Sequence, residues 1–332
     1  MRRFPALASV PRVELGHFPT PVERIVIEPG TEMWVKRDDL AGSELGGNKL
    51  RALEFLLGGV RAGDVVLTAG GVGSTHVLAT AHHARSLGAR VEAVRWRHDM
   101  NPAASVVAAR SKEICDRVRD SGGAVRGLAS ALVARLGSRA RWVPLGGSSP
   151  LGILGHVNAA LELAEQVERG ELPPPSSVVV PLGTGGTVAG LALGFRVAGL
   201  PVTLVGARVV PRIAGNRWRV LRLAGATSRL IERLTGQRVP RVDPARVRVV
   251  HDVYGGAYGR PLANAEEGVA LASRLLGARL DGTYSAKAFA AALSLVRQQR
   301  RRGELATTLF WLTFDARWMS TGWGPLPTGE RG

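Results

Sequence analysis

The chain has 332 residues with 45% hydrophobic and 21% charged content, the make-up of an ordinary folded protein long enough for two cores. No run approaches the roughly 20 apolar residues of a membrane helix, Met1-Arg2-Arg3-Phe4-Pro5 lacks the apolar stretch of a signal peptide, and Cys115 has no partner for a disulfide; these features predict a cytoplasmic protein. The net charge of +17 is not read as a nucleic-acid footprint, because aromatics are only 5%, they are not interleaved with the dense arginines at 208–248 and 297–302, and no zinc-finger, RNP-type or basic-zipper pattern is present.

Lysine is scarce: only Lys36, Lys49, Lys112 and Lys287 stand among 44 Lys+Arg residues. Lys49 follows Gly46-Gly47-Asn48 and precedes an apolar helical pattern. A guanidinium stays protonated, whereas a desolvated amine can lose its proton and form a Schiff base. A surface lysine after a turn is the plain alternative.

From there the rhythm is β-branched run, glycine turn, alanine-rich helix, which predicts a parallel α/β sheet. A strand at 64–69 leads through Gly70-Gly71-Val72-Gly73 into a helix at 74–87. A strand at 90–96 precedes a helix starting near Pro102, and Cys115 falls in a helical pattern over 106–118 as a buried spectator thiol. A helix at 156–168 ends before Pro173-Pro174-Pro175. Strands follow at 177–181, 202–205, 247–251 and 308–311, with helices at 187–197, 217–234, 262–276 and 286–300. The expected division is one unit over 52–160 and a larger one built from 1–51 and 161–332. His82 and His83 are adjacent and cannot face one ion together, so no metal site is expected.

Pro181-Leu182-Gly183-Thr184-Gly185-Gly186-Thr187 joins a predicted strand to a helix. Its glycines let backbone N–H groups face a phosphate, Thr184 and Thr187 add hydroxyls, and the helix offers its positive end. A dinucleotide fingerprint fails: Val188 occupies the third-glycine position, and no acid follows the next strand at the ribose-binding distance. No lysine follows as in a Walker loop. A tight turn remains the plain alternative for the loop alone.

A nucleophilic amine together with a lone phosphate cradle is what pyridoxal phosphate requires. With Pro19-Thr20-Pro21-Val22-Glu23, Lys36-Arg37-Asp38-Asp39, Gly46 to Arg51, Gly147 to Gly155, Gly183 to Thr187, Tyr258-Gly259-Arg260-Pro261 and Tyr284-Ser285-Ala286-Lys287-Ala288, the chain resembles the 1-aminocyclopropane-1-carboxylate deaminase / D-cysteine desulfhydrase family of tryptophan-synthase-β-like (fold type II) pyridoxal-phosphate enzymes. The resemblance implies a two-domain α/β fold of open, mostly parallel twisted sheets flanked by helices, with pyridoxal 5′-phosphate between the domains. It further implies a small amino-acid substrate, a homodimer and no membrane partner.

Residue by residue, the resemblance implies Lys49 as Schiff-base lysine and general base, Asn48 beside it, and Gly183, Thr184, Gly185, Gly186 and Thr187 as the phosphate loop. Ser74 and His76 match substrate-carboxylate positions, and Thr75 stands where the family has an asparagine bonded to the cofactor. Ser74 alone also reads as a helix cap. Tyr258 and Tyr284 match two active-site tyrosines. Ser285 stands at the pyridine-nitrogen position, where deaminases carry Glu and desulfhydrases Ser or Thr. Leu312-Thr313-Phe314-Asp315 replaces the family's His-Thr-Gly-Gly or His-Leu-Gly-Gly, with Thr313 on the desulfhydrase side. These matches imply D-cysteine-type α,β-elimination to sulfide, pyruvate and ammonia. Cyclopropane ring opening, β-replacement and a non-catalytic cofactor- or ligand-binding homologue are the alternatives.

Overall fold

The computed structural model describes residues 4–42, 45–98, 102–256 and 265–316. Val22–Glu28 (β1) and Thr31–Arg37 (β2) form an antiparallel hairpin, with Gly30 at positive φ in its turn. Lys49–Leu56 (α1) leads into Val65–Gly71 (β3), Thr75–Ser86 (α2), Arg90–Trp96 (β4), Pro102–Ile114 (α3), Arg117–Ser121 (β5), Ala124–Leu136 (α4) and Arg141–Val143 (β6). Pro150–Glu168 (α5), Ser177–Leu182 (β7), Gly186–Ala198 (α6), Thr203–Arg208 (β8), Arg217–Thr235 (α7) and Val247–Val250 (β9) follow. Ala265–Leu276 (α8), Ser285–Arg301 (α9) and Thr308–Leu312 (β10) complete the described elements.

The strands make two sheets. One has the order β5-β4-β3-β6 and is wholly parallel; the other has the order β1-β2-β10-β7-β8-β9 and is parallel except for the hairpin. The expected mostly parallel α/β architecture is therefore what the chain adopts. In parallel sheets the loops leaving the C-terminal strand ends gather on one side, where open α/β proteins bind ligands. Here those loops are 72–74, 144–148, 183–187 and 313–315.

Most predicted strands and helices match within a few residues. The hairpin β1–β2, strands β5 and β6, and helix α4 go beyond the sequence reading. The hairpin and β5 interleave charged residues with apolar ones, and β6 is three residues long, so none shows a continuous apolar run in the sequence. Helix α5 begins at Pro150 rather than 156, because Pro150 occupies its first turn and Ser149 caps it, accepting from the Gly152 N–H. Cys115 lies just beyond α3, not within a helix reaching 118; it is buried, and burial pushes its thiol up to about 12.

Residue 160, the expected border between units, falls inside α5. That helix lies along α6 so closely that a Cβ on Gly190 would sit 2.4 Å from the Cβ of His156, and one on Gly194 would sit 2.5 Å from that of Ala160. The two glycines let α6 press its apolar surface on α5 from one side while the larger sheet and α7 cover the rest. The other face of that sheet is covered by α8 and α9. In the smaller sheet, α2 and α3 pack on one face and α4 on the other.

A buried ionic network ties the N-terminal segment, α1, α5 and β10 together. Lys36 Nζ donates to the Thr20 carbonyl at 2.6 Å, to Glu162 Oε1 at 2.5 Å and to Gln166 Oε1 at 2.5 Å. Arg51 reaches both Asp38, at 2.6 Å, and Glu162, at 2.9 Å, while the Trp311 indole donates to Asp38 Oδ2 at 2.7 Å. This scaffold sets where α1 starts, and so where Lys49 stands.

Candidate active site

The turn between β7 and α6 has Gly185 at φ +92, a left-handed conformation that side chains rarely adopt. No side chain caps α6, although α2, α5 and α7 are capped by Ser74, Ser149 and Asn216. The first N–H groups of α6 thus lack an intrahelical partner and sit at the positive end of a 13-residue helix. The side chains around the loop are fixed from behind. Ser148 Oγ and Thr184 Oγ1 are 2.5 Å apart, Arg219 Nε donates to the Thr184 carbonyl at 2.9 Å, and Asn48 Nδ2 donates to Thr187 Oγ1 at 3.0 Å. His156 Nε2 lies 3.4 Å from the same Thr187 hydroxyl. A Cβ on Gly186 would lie 2.6 Å from Ser148 Oγ, and one on Gly183 would meet the Tyr284 ring at 3.3 Å. An uncapped helix start, two hydroxyls and a glycine backbone that bears no side chains fit a phosphate monoester.

Lys49 opens α1, beside this loop. Its turn is pinned to the end of β10: the Asn48 N–H donates to the Thr313 carbonyl at 2.9 Å, and a Cβ on Gly47, at φ +110, would lie 2.5 Å from that same oxygen. Burial pushes the Lys49 amine down to about 8, opposed by the charge of Asp281. Its Nζ lies 4.9 Å from the centre of the Phe314 ring. Asp281 is held in turn by the N–H groups of Thr283, Tyr284 and Ser285, at 3.1, 2.7 and 3.0 Å, at the start of α9. Ser285 is fully buried, with Oγ 3.4 Å from the Phe314 carbonyl.

On the smaller sheet's side, Ser74 caps α2 by accepting a long 3.4 Å bond from the Val77 N–H. Thr75 and His76 form the first turn of that helix. His76 is buried beside the Pro144 carbonyl, and burial followed by the charge of Lys49 pushes its pKa down to about 4. Its Nε2 meets no protein partner.

The structure therefore gathers Asn48, Lys49, Gly183 to Thr187, Tyr284, Ser285 and Thr313, with His76 close enough for Lys49 to act on its charge. Thr313 contributes its carbonyl to the Lys49 turn. Tyr258 lies outside the described residues. Sequence reasoning missed Ser148, His156, Arg219, Asp281 and Phe314. Ser148 lay inside a quoted matching segment, and Asp281 stands four residues before Ser285, the spacing of a cap on α9. Arg219 was hidden in an arginine-dense stretch. Among the described residues, no group of three or more His, Cys, Asp or Glu is placed to hold a metal ion.

Comparison with known proteins gives a consistent result. The family model described as pyridoxal-phosphate dependent enzyme matches residues 13–313. D-cysteine desulfhydrase of Salmonella paratyphi A is 35% identical over 309 residues, covering 89% of this chain and 91% of its own, and the D-cysteine desulfhydrase of Salmonella newport has the same identity and coverage. Among solved structures, an ACC deaminase homologue superposes with a TM-score of 0.75 at 30% identity, covering 94% of this chain and 93% of its own. O-ureido-L-serine synthase, at 16% identity with a TM-score of 0.60 and coverage of 96% and 93%, shares the fold.

Proposed function

The chain belongs to the pyridoxal-phosphate dependent enzyme family, and we propose that it is a carbon–sulfur lyase converting D-cysteine, or a similar β-substituted amino acid, to pyruvate, ammonia and sulfide by α,β-elimination. The observation that carries this reading is a desolvated lysine amine beside a helix start that no side chain caps. The desulfhydrase relatives support the choice of substrate class, and Ser285, rather than a carboxylate, favours elimination over cyclopropane ring opening.

Pyridoxal phosphate, when bound, supplies an aldehyde that condenses with amines and a ring that draws electrons from the substrate's Cα. The backbone of Gly183 to Thr187 and the hydroxyls of Thr184 and Thr187 would hold its phosphate. Ser148 and Arg219 keep that loop in shape, while Asn48 and His156 orient the Thr187 hydroxyl. Thr75, Ser285 and Thr313 would flank the rest of the cofactor. Ser74 and the N–H groups opening α2 would bind the substrate carboxylate, since an anion is stabilised at a helix start. His76, in the first turn of α2, would complete the carboxylate site. Lys49 takes the Cα proton; with its pKa near 8, an appreciable fraction of the amine is free at neutral pH. Asp281 and the face of Phe314 steady the ammonium that results. Tyr284, against Gly183, and Tyr258 would act around the substrate's amino acid moiety.

We place the small unit around β3 to β6 and the larger one around the six-stranded sheet, following 52–160 and the two flanks, with the border moved ahead of α5. A homodimer and a cytoplasmic location complete the reading; light scattering is expected to give twice the 35.1 kDa chain mass. The activity is tested by incubating the loaded enzyme with D-cysteine and L-cysteine and assaying pyruvate and sulfide. Equimolar release from the D-isomer is expected. Absence of pyruvate from every β-substituted amino acid tried removes the lyase assignment, and a new amino acid formed on adding thiols redirects it to β-replacement.

A further inference from the structure

Among the described residues, three buried side-chain atoms that meet no protein partner lie on a single helix: His76 Nε2, Thr80 Oγ1 and His83 Nε2, all on α2. Their spacing, i, i+4 and i+7, puts them on one face, along about 10 Å of helix axis. The residues are 6%, 0% and 7% exposed. His76 lies beside the Pro144 carbonyl and His83 beside the Leu45 carbonyl. Burial keeps both rings neutral, with pKa values pushed down to about 4 and about 3. Each Nε2 can therefore pair with one water, while the Thr80 hydroxyl between them can both donate and accept.

The two carbonyls place the row in the molecule. Leu45 begins the turn that ends at Lys49, and Pro144 begins the turn that ends at Ser148. The row therefore faces the seam between α2 and the Lys49 turn, with His76 at the Lys49 end and His83 near the C-terminus of α2. Three buried polar atoms left unpaired on one face are costly. Ordered water is the usual partner of such atoms when the site is polar.

We infer that His76, Thr80 and His83 anchor a file of buried waters that carries protons between Lys49 and the C-terminal end of α2. The inference rests on Lys49 as the amine that accepts the substrate's Cα proton. In each turnover one proton leaves the Lys49 ammonium for the nearest water. That water passes a different proton to the next, and one proton emerges at the His83 end, so every water keeps two hydrogens. The histidines stay neutral and act as positioning residues, because burial disfavours their charged forms.

The test uses the pyridoxal-phosphate-loaded enzyme without substrate in a high-resolution crystal structure, followed by turnover in H2O and D2O. Ordered waters within hydrogen-bond distance of the three atoms are expected. Thr80→Val should lose the central water, slow pyruvate release about tenfold and raise the solvent-deuterium effect, with cofactor uptake unchanged. Thr80→Ser should restore both. Should Thr80→Val fold poorly, His83→Leu is expected to give the same slowing from the far end. No ordered water at these atoms in the wild-type map overturns the file. Wild-type turnover and isotope effect in folded Thr80→Val or His83→Leu overturn its proton role. The map decides the file whether or not sulfide is released, so its failure is separable from failure of the lyase assignment.

Discussion

Lys36 and Lys49 stand 13 residues apart, the first fully buried and the second half-buried, and lost hydration pushes both amines below the ordinary lysine range. They differ in what replaces the water. Lys36 donates to a carbonyl, a carboxylate and an amide oxygen, which uses all three of its N–H groups. Lys49 has a ring face at 4.9 Å and the charge of Asp281, and its neighbour Asn48 ties its turn to Thr187 at the uncapped start of α6. Burial alone therefore does not make an amine reactive. Reactivity needs burial with the hydrogen-bonding capacity left open, and the network around Lys36 supplies the rigidity that holds Lys49 in that condition.

The largest expected effect comes from removing the open amine. Lys49→Ala should lower pyruvate formation by on the order of 10⁴-fold or more, with a melting curve close to wild type, and Lys49→Arg should be equally inactive because a guanidinium stays charged. The closed amine behaves oppositely. Lys36→Met strands Glu162 and Asp38 with less compensating charge, so urea unfolding should show a loss of about 3–5 kcal/mol, while the protein that remains folded still takes up cofactor.

A pH series sharpens the contrast. Cofactor uptake by the free enzyme needs the neutral Lys49 amine, so its rate should rise about tenfold per pH unit below about 8 and flatten above it. The sign for stability follows from the same depression. Because the unfolded lysine, near 10.5, binds a proton before the folded one does, Lys49's contribution to stability falls as pH drops from 10.5 to about 8 and is constant below. Unfolding curves of cofactor-free wild type minus Lys49→Met check this. The smallest effect is expected at the loop: Arg219→Ala removes one bond to the Thr184 carbonyl and should weaken cofactor affinity about five- to tenfold in a direct titration.

The sequence made the chemistry legible where a residue type was rare or a backbone demand was strong. Lys49 stood out because arginine carries nearly all the other positive charge, and Gly183 to Thr187 because only glycine-rich backbone turns its N–H groups outward between a strand and a helix. The parallel sheets were legible from buried β-branched runs such as 177–181. The hairpin β1–β2 was not, because its alternating charges resemble a polar surface segment until β10 pairs with it. Arg219, His156 and Asp281 were invisible for a different reason. Each acts on a residue distant in sequence or through a backbone group, and no local pattern records a contact such as His156 to Thr187. Phe314 and Asp315 stand where the resemblance expects two glycines. In the fold the Phe314 ring faces Lys49, and Asp315 accepts from the Arg279 N–H at 3.2 Å.

The central claim, that Lys49 is the amine that takes up pyridoxal phosphate, is tested most directly by absorbance of the purified protein during titration with the cofactor. Wild type should develop a visible band that saturates near one equivalent per chain and changes on adding D-cysteine, while Lys49→Ala, folded to the same extent, should develop none. A wild-type protein that stays colourless with excess cofactor, or a Lys49→Ala variant with the full band, would contradict it.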